Sequence, residues 1–309
     1  MQDAIPLRFD PEQLRSLNIL LAIMMFGVSL SLRPESFRHV LQAPRASIVG
    51  LLAQYVLVPA FTCLGAWLFR IDPTLALGMM LVAACPSGSF SNVLTWLARG
   101  NVALAVSLTA VSSVLAPVVM PLNFALYAWL NPLTRPLLRS ISIPAGGIVA
   151  LVLGVLVLPL VAGMVAGRRF PGFATRADKP LRVVATLIFL AFVGGAFTAN
   201  FGLFLERFDT FFWIVIAQNA MALATGYGMA RLAGLSEADR RAMTIEVGIH
   251  NTGLGLAVLF TFFPEAGGMM LVAAFWGVWH LVSGLALAQW WSRRAPVDQG
   301  TVLSSSAVA

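Results

Sequence analysis

Leu81-Val-Ala-Ala-Cys-Pro-Ser-Gly-Ser-Phe-Ser-Asn92 and Thr244-Ile-Glu-Val-Gly-Ile-His-Asn-Thr-Gly253 are two polar interruptions in otherwise apolar sequence. In the first, Pro86 removes a backbone donor and clashes with the preceding turn. Gly88 loosens the chain further, and Ser87, Ser89, Ser91 and Asn92 add polar atoms. In the second, Glu246, His250, Asn251 and Thr252 lie between Gly248 and Gly253 or just before them. A lone Pro or Gly reads as a simple kink. Four polar groups beside each break predict unwound helix instead.

The sequence flanking both interruptions is membrane sequence. Of 309 residues, 59% are hydrophobic and only 11% charged, against about 25% charged in soluble domains. Apolar runs of about 20 residues, enough to cross roughly 30 Å of hydrocarbon, recur along the chain. Continuous runs without alternation indicate helices, and lipid demands internally paired backbone. The expected fold is an all-α polytopic membrane protein. Its nine spans fall at 14–32, 46–69, 74–98, 101–130, 144–167, 181–204, 210–232, 242–263 and 267–292. Residues 14–130 form a first half of four spans and 144–292 a second half of five, within one transmembrane domain over 1–309. The tail 293–309 reads as a disordered cytoplasmic segment. The N-terminus, with Asp3, Arg8 and Asp10, does not read as a cleavable signal peptide.

The net charge of +7 comes from Lys and Arg in short loops, so it reads as orientation and not as nucleic-acid binding. Fourteen of the 20 basic residues, including Arg168, Arg169, Arg240, Arg241, Arg293 and Arg294, fall on the side of the C-terminus. The positive-inside rule puts that end in the cytoplasm and the N-terminus outside. Cys63 and Cys85 read as membrane-buried thiols without disulfide or metal spacing. Glu246 is the one carboxylate inside an expected span, where it costs about 2.5–3.5 kcal/mol on insertion scales. A bound cation would offset that cost. A protonated, hydrogen-bonded Glu is the other reading.

The broken spans are each next to last in their half, and by charge bias they run in opposite directions. That is the mark of an inverted repeat. Half-helix N-termini attract anions and unwound carbonyls hold Na⁺. The residues alone therefore point to cation-coupled transport of an anionic solute.

Cys85 to Asn92 followed by Trp96-Leu-Ala-Arg-Gly-Asn-Val-Ala-Leu104, together with Glu246-Val-Gly-Ile-His-Asn251, resembles two helix motifs of the bile acid:sodium symporter family. Gly27 to Phe37 and Trp279-His280 also match it. The resemblance implies a core domain, holding two crossing broken helices, that moves against a panel domain. It also implies nine helices, one fewer than the ten of bacterial members. One sodium site would use Ser91, Asn92, Thr109 and Glu246. A second would use Gln54, Glu246, His250 and the carbonyls of Val247 and Ile249. Gln54 on its own reads equally as packing polar or ligand; the resemblance makes it a ligand. Substrate, a small organic anion, would lie near Ser89, Phe90, Asn251 and His280. His280 reads equally as a histidine bonded to a neighbouring backbone carbonyl.

Four positions depart from the family pattern. Ala105 replaces a serine one turn before Thr109, and His250 replaces a glutamine. Imidazole nitrogen suits hard Na⁺ less well than oxygen, so the second site is expected to be weak, absent or replaced by a proton. Phe90 and Leu281 make the substrate region more apolar than usual. The expected function is sodium-coupled symport of a bile-acid-like or small carboxylate anion in a bacterial inner membrane. The rival transport readings are a proton-coupled or sodium-independent anion carrier and an arsenite-type efflux carrier, for which Cys85 is the only cue. Without HExxH, GxGD or paired membrane aspartates, the chain does not read as an enzyme. The sequence does not distinguish carrier from channel and leaves the oligomeric state open.

Overall fold

Asp72 and Pro73 start the first broken helix as their residue types dictate. The Asp72 carboxylate accepts from the Thr74 and Leu75 amides at 2.9 and 3.3 Å, and Pro73 occupies the first turn, where no donor is needed. The coordinates are a computed structural model that describes residues 44–88, 90–140, 152–177, 201–263 and 266–294, plus positions 19, 22, 23, 26, 27, 29, 30, 180, 181, 184 and 187. Most of the expected spans 14–32 and 181–204, the start of 144–167 and the tail beyond 294 lie outside these residues.

Every element is helical, and no sheet occurs among the described residues. In chain order, α1 is Pro44–Leu68, α2 Pro73–Ala84, α3 Phe90–Leu97, α4 Val102–Leu130 and α5 Arg135–Ser140. The next, α6, joins Val152–Val157 to Leu158–Arg169; α7 is Phe201–Leu232, α8 Glu237–Gly248, α9 Thr252–Phe262 and α10 Gly267–Ser292. Among the described residues three helices, α1, α4 and α10, are long and apolar enough to cross a membrane. The expected spans 74–98 and 242–263 are each split in two, as α2/α3 and α8/α9, at the polar interruptions.

Two expected boundaries move. Residues 205–209 are helical, inside α7, where Glu206, Arg207 and Asp209 read as a loop between spans. A cluster of charges at a helix end and one in a loop have the same hydropathy, so the run length misplaced the turn. Likewise α8 begins at Glu237, five residues before the expected start of its span. Ser236 caps it by accepting from the Asp239 amide at 3.2 Å, with Glu237 and Asp239 in the positive first turn.

Proline reshapes α1. Pro59 has no N–H to give the Tyr55 carbonyl four residues back, and Ala53–Leu57 widens into a π-helical turn. Helix α4 supplies the missing donors: Asn123 Nδ2 donates to the Tyr55 carbonyl at 2.7 Å, and the Tyr127 hydroxyl to that of Val56 at 3.0 Å. The Tyr55 hydroxyl in turn donates to the Ser112 carbonyl at 2.9 Å. These bonds fix α1 to α4.

Helix α2 is apolar all round and buried from Leu75 to Ala84, as expected of a helix with protein on every side. It packs on α1, α4 and α10, while α8 packs on α7, α4 and α3. Gly226 lets α7 approach α8 closely: a Cβ there would stand 2.9 Å from the Met243 carbonyl oxygen.

Arg241 holds one end of the bundle together. It is 2% exposed. Its guanidinium donates to the carbonyls of Ala98, Trp291 and Arg294 at 2.9, 3.2 and 3.0 Å and to Glu237 at 3.2 Å, and it lies over the Trp291 ring. Charge counting treats Arg241 as a loop residue; here it closes the C-terminal carbonyls just after α3 and at α10 onto α8. Replacing Arg241 by Ala strands these carbonyls and is expected to cost about 3 kcal/mol. The check is a large fall in the thermal midpoint of the detergent-solubilised protein, only partly restored by Arg241→Lys, whose ammonium lacks the fork. A midpoint unchanged in Arg241→Ala would contradict the assigned role.

Candidate functional site

Unwound backbone inside a membrane protein must find partners within the protein. Here each break supplies the other's. The Gly88 amide donates to the Ile249 carbonyl at 3.0 Å and the Asn251 amide to the Pro86 carbonyl at 2.8 Å. Ser87 and His250 thereby face each other as an isolated antiparallel bridge. Contact is close enough that a Cβ at Gly88 would stand 3.3 Å from the His250 carbonyl oxygen. The Ser87 hydroxyl adds a third link, donating to the Glu246 carbonyl at 3.0 Å.

The Glu246 side chain lies less than one turn before this crossing and is 1% exposed. Ser91, in the first turn of α3, donates its hydroxyl to Glu246 Oε1. Thr109 of α4 lies 3.0 Å from both carboxylate oxygens, 3.3 Å from Asn92 Oδ1 and 3.5 Å from the Ser91 hydroxyl. So three elements, α3, α4 and α8, bring Ser91, Asn92, Thr109 and Glu246 to one place. Among the described residues neither Lys nor Arg is paired with Glu246; the buried Arg241 is turned to Glu237 and to the carbonyls of the helix ends. Ala105, one turn before Thr109, is buried and offers no side-chain oxygen.

The other expected residues are less tightly joined. Gln54 sits in the π-helical turn of α1, 1% exposed, and among the described residues its Nε2 has no hydrogen-bond partner. His250 is also 1% exposed; neither ring nitrogen is partnered there, and the ring lies 5.5 Å from that of Trp276, tilted by 33°. Neither Gln54 Nε2 nor the His250 ring is therefore hydrogen-bonded to Glu246. The Ile249 carbonyl is taken by Gly88. Val247 is buried at the end of α8.

Of the residues expected around substrate, Ser89 lies outside the described residues. Phe90 opens α3 and is exposed. Asn251 is the N-cap of α9: its Oδ1 accepts from the Leu254 amide at 3.1 Å. His280 is buried in α10, with Nδ1 at 2.7 Å from the Trp276 carbonyl of its own helix, which matches the plainer of its two readings. The geometry also brings in residues that sequence reasoning missed. Ser87 bonds to Glu246 backbone, and Asn219 of α7 donates from Nδ2 to the Gly248 carbonyl at 2.9 Å. Asn219 had a signal: with Gln218 it forms a polar pair in an apolar run.

The Sodium Bile acid symporter family model matches residues 18–207. An uncharacterized sodium-dependent transporter of Bacillus subtilis, YocS, is 32% identical over 94% of this chain and 87% of its own length. A probable chloroplastic sodium/metabolite cotransporter of Arabidopsis thaliana, BASS1, is 30% identical over 89% of this chain and 66% of its own length. The human ileal sodium/bile acid cotransporter is 29% identical over 81% of this chain and 70% of its own. These relatives are transporters and not enzymes, and the chain belongs to the Sodium Bile acid symporter family of sodium-dependent membrane transporters.

Proposed function

We propose that the chain is a secondary transporter that couples Na⁺ to the uptake of a small organic anion across a bacterial inner membrane. The observation that carries this reading is the convergence of Ser91, Asn92, Thr109 and Glu246. Hydroxyl, amide and carboxylate oxygens around one buried negative charge are what a hard cation selects. Without a cation, the hydroxyls satisfy the carboxylate by donating to it. With Na⁺ present, the same oxygens turn lone pairs to the ion, and the charge that burial disfavours is neutralised. The names of the relatives, sodium/metabolite and sodium/bile acid cotransporters, support Na⁺ as the ion.

The anion belongs at the crossing, where α3 and α9 begin and turn the positive ends of their helix dipoles toward a carboxylate or sulfonate. Phe90, at the exposed start of α3, makes that region suit a partly apolar acid. Ser89, Asn251 and His280 remain the proposed polar contacts, with Asn251 acting through the helix it caps. The contact pattern supports an inverted repeat. Helix α2 packs on α10 as α8 packs on α4, α1 lies against α2 as α7 against α8, and α3 against α4 as α9 against α10. In that arrangement nine spans in halves of four and five carry the crossing helices in a core, with the remaining spans as a panel. The ends that meet around Arg241 are the cytoplasmic ends, which leaves the N-terminus outside.

Coupling is proposed to use one Na⁺. Gln54 and the carbonyls of Val247 and Ile249 would complete a second position only with an oxygen ligand where His250 stands, and the His250 ring is packed on Trp276 without a polar partner among the described residues. A proton carried by His250 is the alternative for this second position, and the less favoured one, because a buried ring without a polar partner disfavours the charged imidazolium.

Two outcomes test the reading. Glu246→Gln keeps the shape and removes the charge. It is expected to abolish both Na⁺-dependent uptake in liposomes and the Na⁺-induced rise in thermal midpoint, which reports binding to the folded state. A variant that keeps full Na⁺ dependence contradicts the site. Secondly, one Na⁺ with one monoanion moves no net charge, so substrate addition is expected to give no current on a solid-supported membrane. His250→Gln supplies the missing oxygen and is expected to create an inward current, driven by about 2.3 kcal/mol per 100 mV. A clear wild-type current with a monoanion contradicts single-ion coupling.

A further inference from the structure

The end of α8 has an accountable set of carbonyls. A helix leaves its last four without intrahelical partners, and inside a membrane protein each needs a donor or a ligand. The Ile245 carbonyl accepts from the Ile249 amide at 2.9 Å. That of Glu246 accepts from the Ser87 hydroxyl at 3.0 Å, and that of Gly248 from Asn219 Nδ2 at 2.9 Å. Past the helix end, the Ile249 carbonyl accepts from Gly88 and the His250 carbonyl from Thr252, both at 3.0 Å. Among these described residues the Val247 carbonyl alone accepts no hydrogen bond.

Two of these donors come from the partner break and one, Asn219, comes from a separate helix. Asn219 is 1% exposed and its amide is oriented from behind. The Ser283 hydroxyl of α10 lies 2.6 Å from Asn219 Oδ1 and 3.2 Å from the His280 carbonyl. Because a hydroxyl can give its one proton to Asn219 Oδ1, the amide nitrogen is left to face Gly248. The chain Ser283–Asn219–Gly248 thus ties α10 and α7 to the residue two places after Glu246. It fixes the Gly248–Ile249 peptide plane, and with it the register in which α8 presents Glu246 and the free Val247 carbonyl.

We propose that Asn219, oriented by Ser283, is a positioning residue that sets the sodium affinity of the Glu246 site. The proposal rests on the reading of that site as a sodium site. Asn219 does not touch the ion; it holds the second break in the shape that the ion binds. Without it the Gly248 carbonyl is buried and unpaired, the break rearranges to find a donor, and sodium binding has to restore the original shape.

The experiment uses the full chain in liposomes and in detergent, with half-saturating Na⁺ read from uptake and, separately, from Na⁺-induced thermal stabilisation. Asn219→Ala is expected to raise half-saturating Na⁺ about tenfold, the equivalent of one buried hydrogen bond, with the maximal rate at saturating Na⁺ within about twofold of wild type. Ser283→Ala is expected to raise it about threefold, and Ser283→Thr, which keeps the hydroxyl, to leave it near wild type. Since Ser283 acts through Asn219, adding Ser283→Ala to Asn219→Ala is expected to change nothing further, an outcome that a general loss of packing would not give. Half-saturating Na⁺ unchanged in Asn219→Ala, or a full additional effect of Ser283→Ala in the double variant, overturns the proposal. If Asn219→Ala does not accumulate, the Ser283 pair decides it: equal behaviour of Ala and Thr overturns it. Glu246→Gln separates the two levels. If it retains Na⁺ dependence, the sodium site itself is misplaced; if it loses Na⁺ dependence while the Asn219 and Ser283 variants stay normal, only the positioning role fails.

Discussion

Backbone pairing between the two breaks underlies everything else at the centre of this protein. Unwinding a helix in the middle of a membrane protein frees amides and carbonyls that water cannot reach, each costing several kcal/mol if left alone. Neither break could exist by itself at that cost. Together they exchange Gly88 N–H for the Ile249 carbonyl and Asn251 N–H for the Pro86 carbonyl. The pairing therefore demands that both helices break, at the same depth, in opposite directions. That single geometrical requirement accounts for the position of Pro86 and Gly88 on one side and Gly248 on the other.

The site follows from that pairing. Once the breaks meet, Ser87 is carried to the Glu246 backbone and Ser91 to its carboxylate, while α4, packed along α8, brings Thr109 from the far side. Arg241 holds the ends of α3, α8 and α10 at one edge, about two to three helical turns from the crossing. The half-helices are thus joined at the crossing, and two of them, α3 and α8, are joined again at Arg241. The π-helical turn of α1, bonded to α4 through Asn123 and Tyr127, fastens a long outer helix to the same unit.

Much of this architecture was legible in the sequence. A cluster of polar residues beside Pro or Gly is costly in a run of 20 apolar ones unless the helix opens there, so both breaks were found to within a residue or two. Glu246 stood out because a lone carboxylate in lipid is expensive. The grouping of Glu246 with Ser91, Asn92 and Thr109 was legible only through resemblance, since nothing in spacing says which helices cross. Other features were hidden. Arg241 looked like any loop cation because hydropathy cannot tell a solvated guanidinium from one capping three carbonyls. The charges at 206–209 suggested a turn that lies inside α7, because a helix continuing past the apolar layer carries charges too. Asn251 read as a substrate contact, and nothing in the sequence showed that its oxygen also caps α9 by accepting from the Leu254 amide. Asn219 and Ser283 are separated by 64 residues, and only the fold reveals that they serve one carbonyl.

If the two breaks form one structure that a sodium ion stiffens by binding at Glu246, backbone exchange must report both breaks at once. The decisive measurement is hydrogen–deuterium exchange with and without Na⁺, at constant ionic strength with K⁺ as the balancing salt. Na⁺ is expected to slow exchange at Gly88 to Asn92 and at Ile249 to Thr252 together and to a similar degree, and Glu246→Gln to remove both effects. Protection that arises at one break without the other, or equally with K⁺, would mean that the breaks do not share a sodium-binding structure.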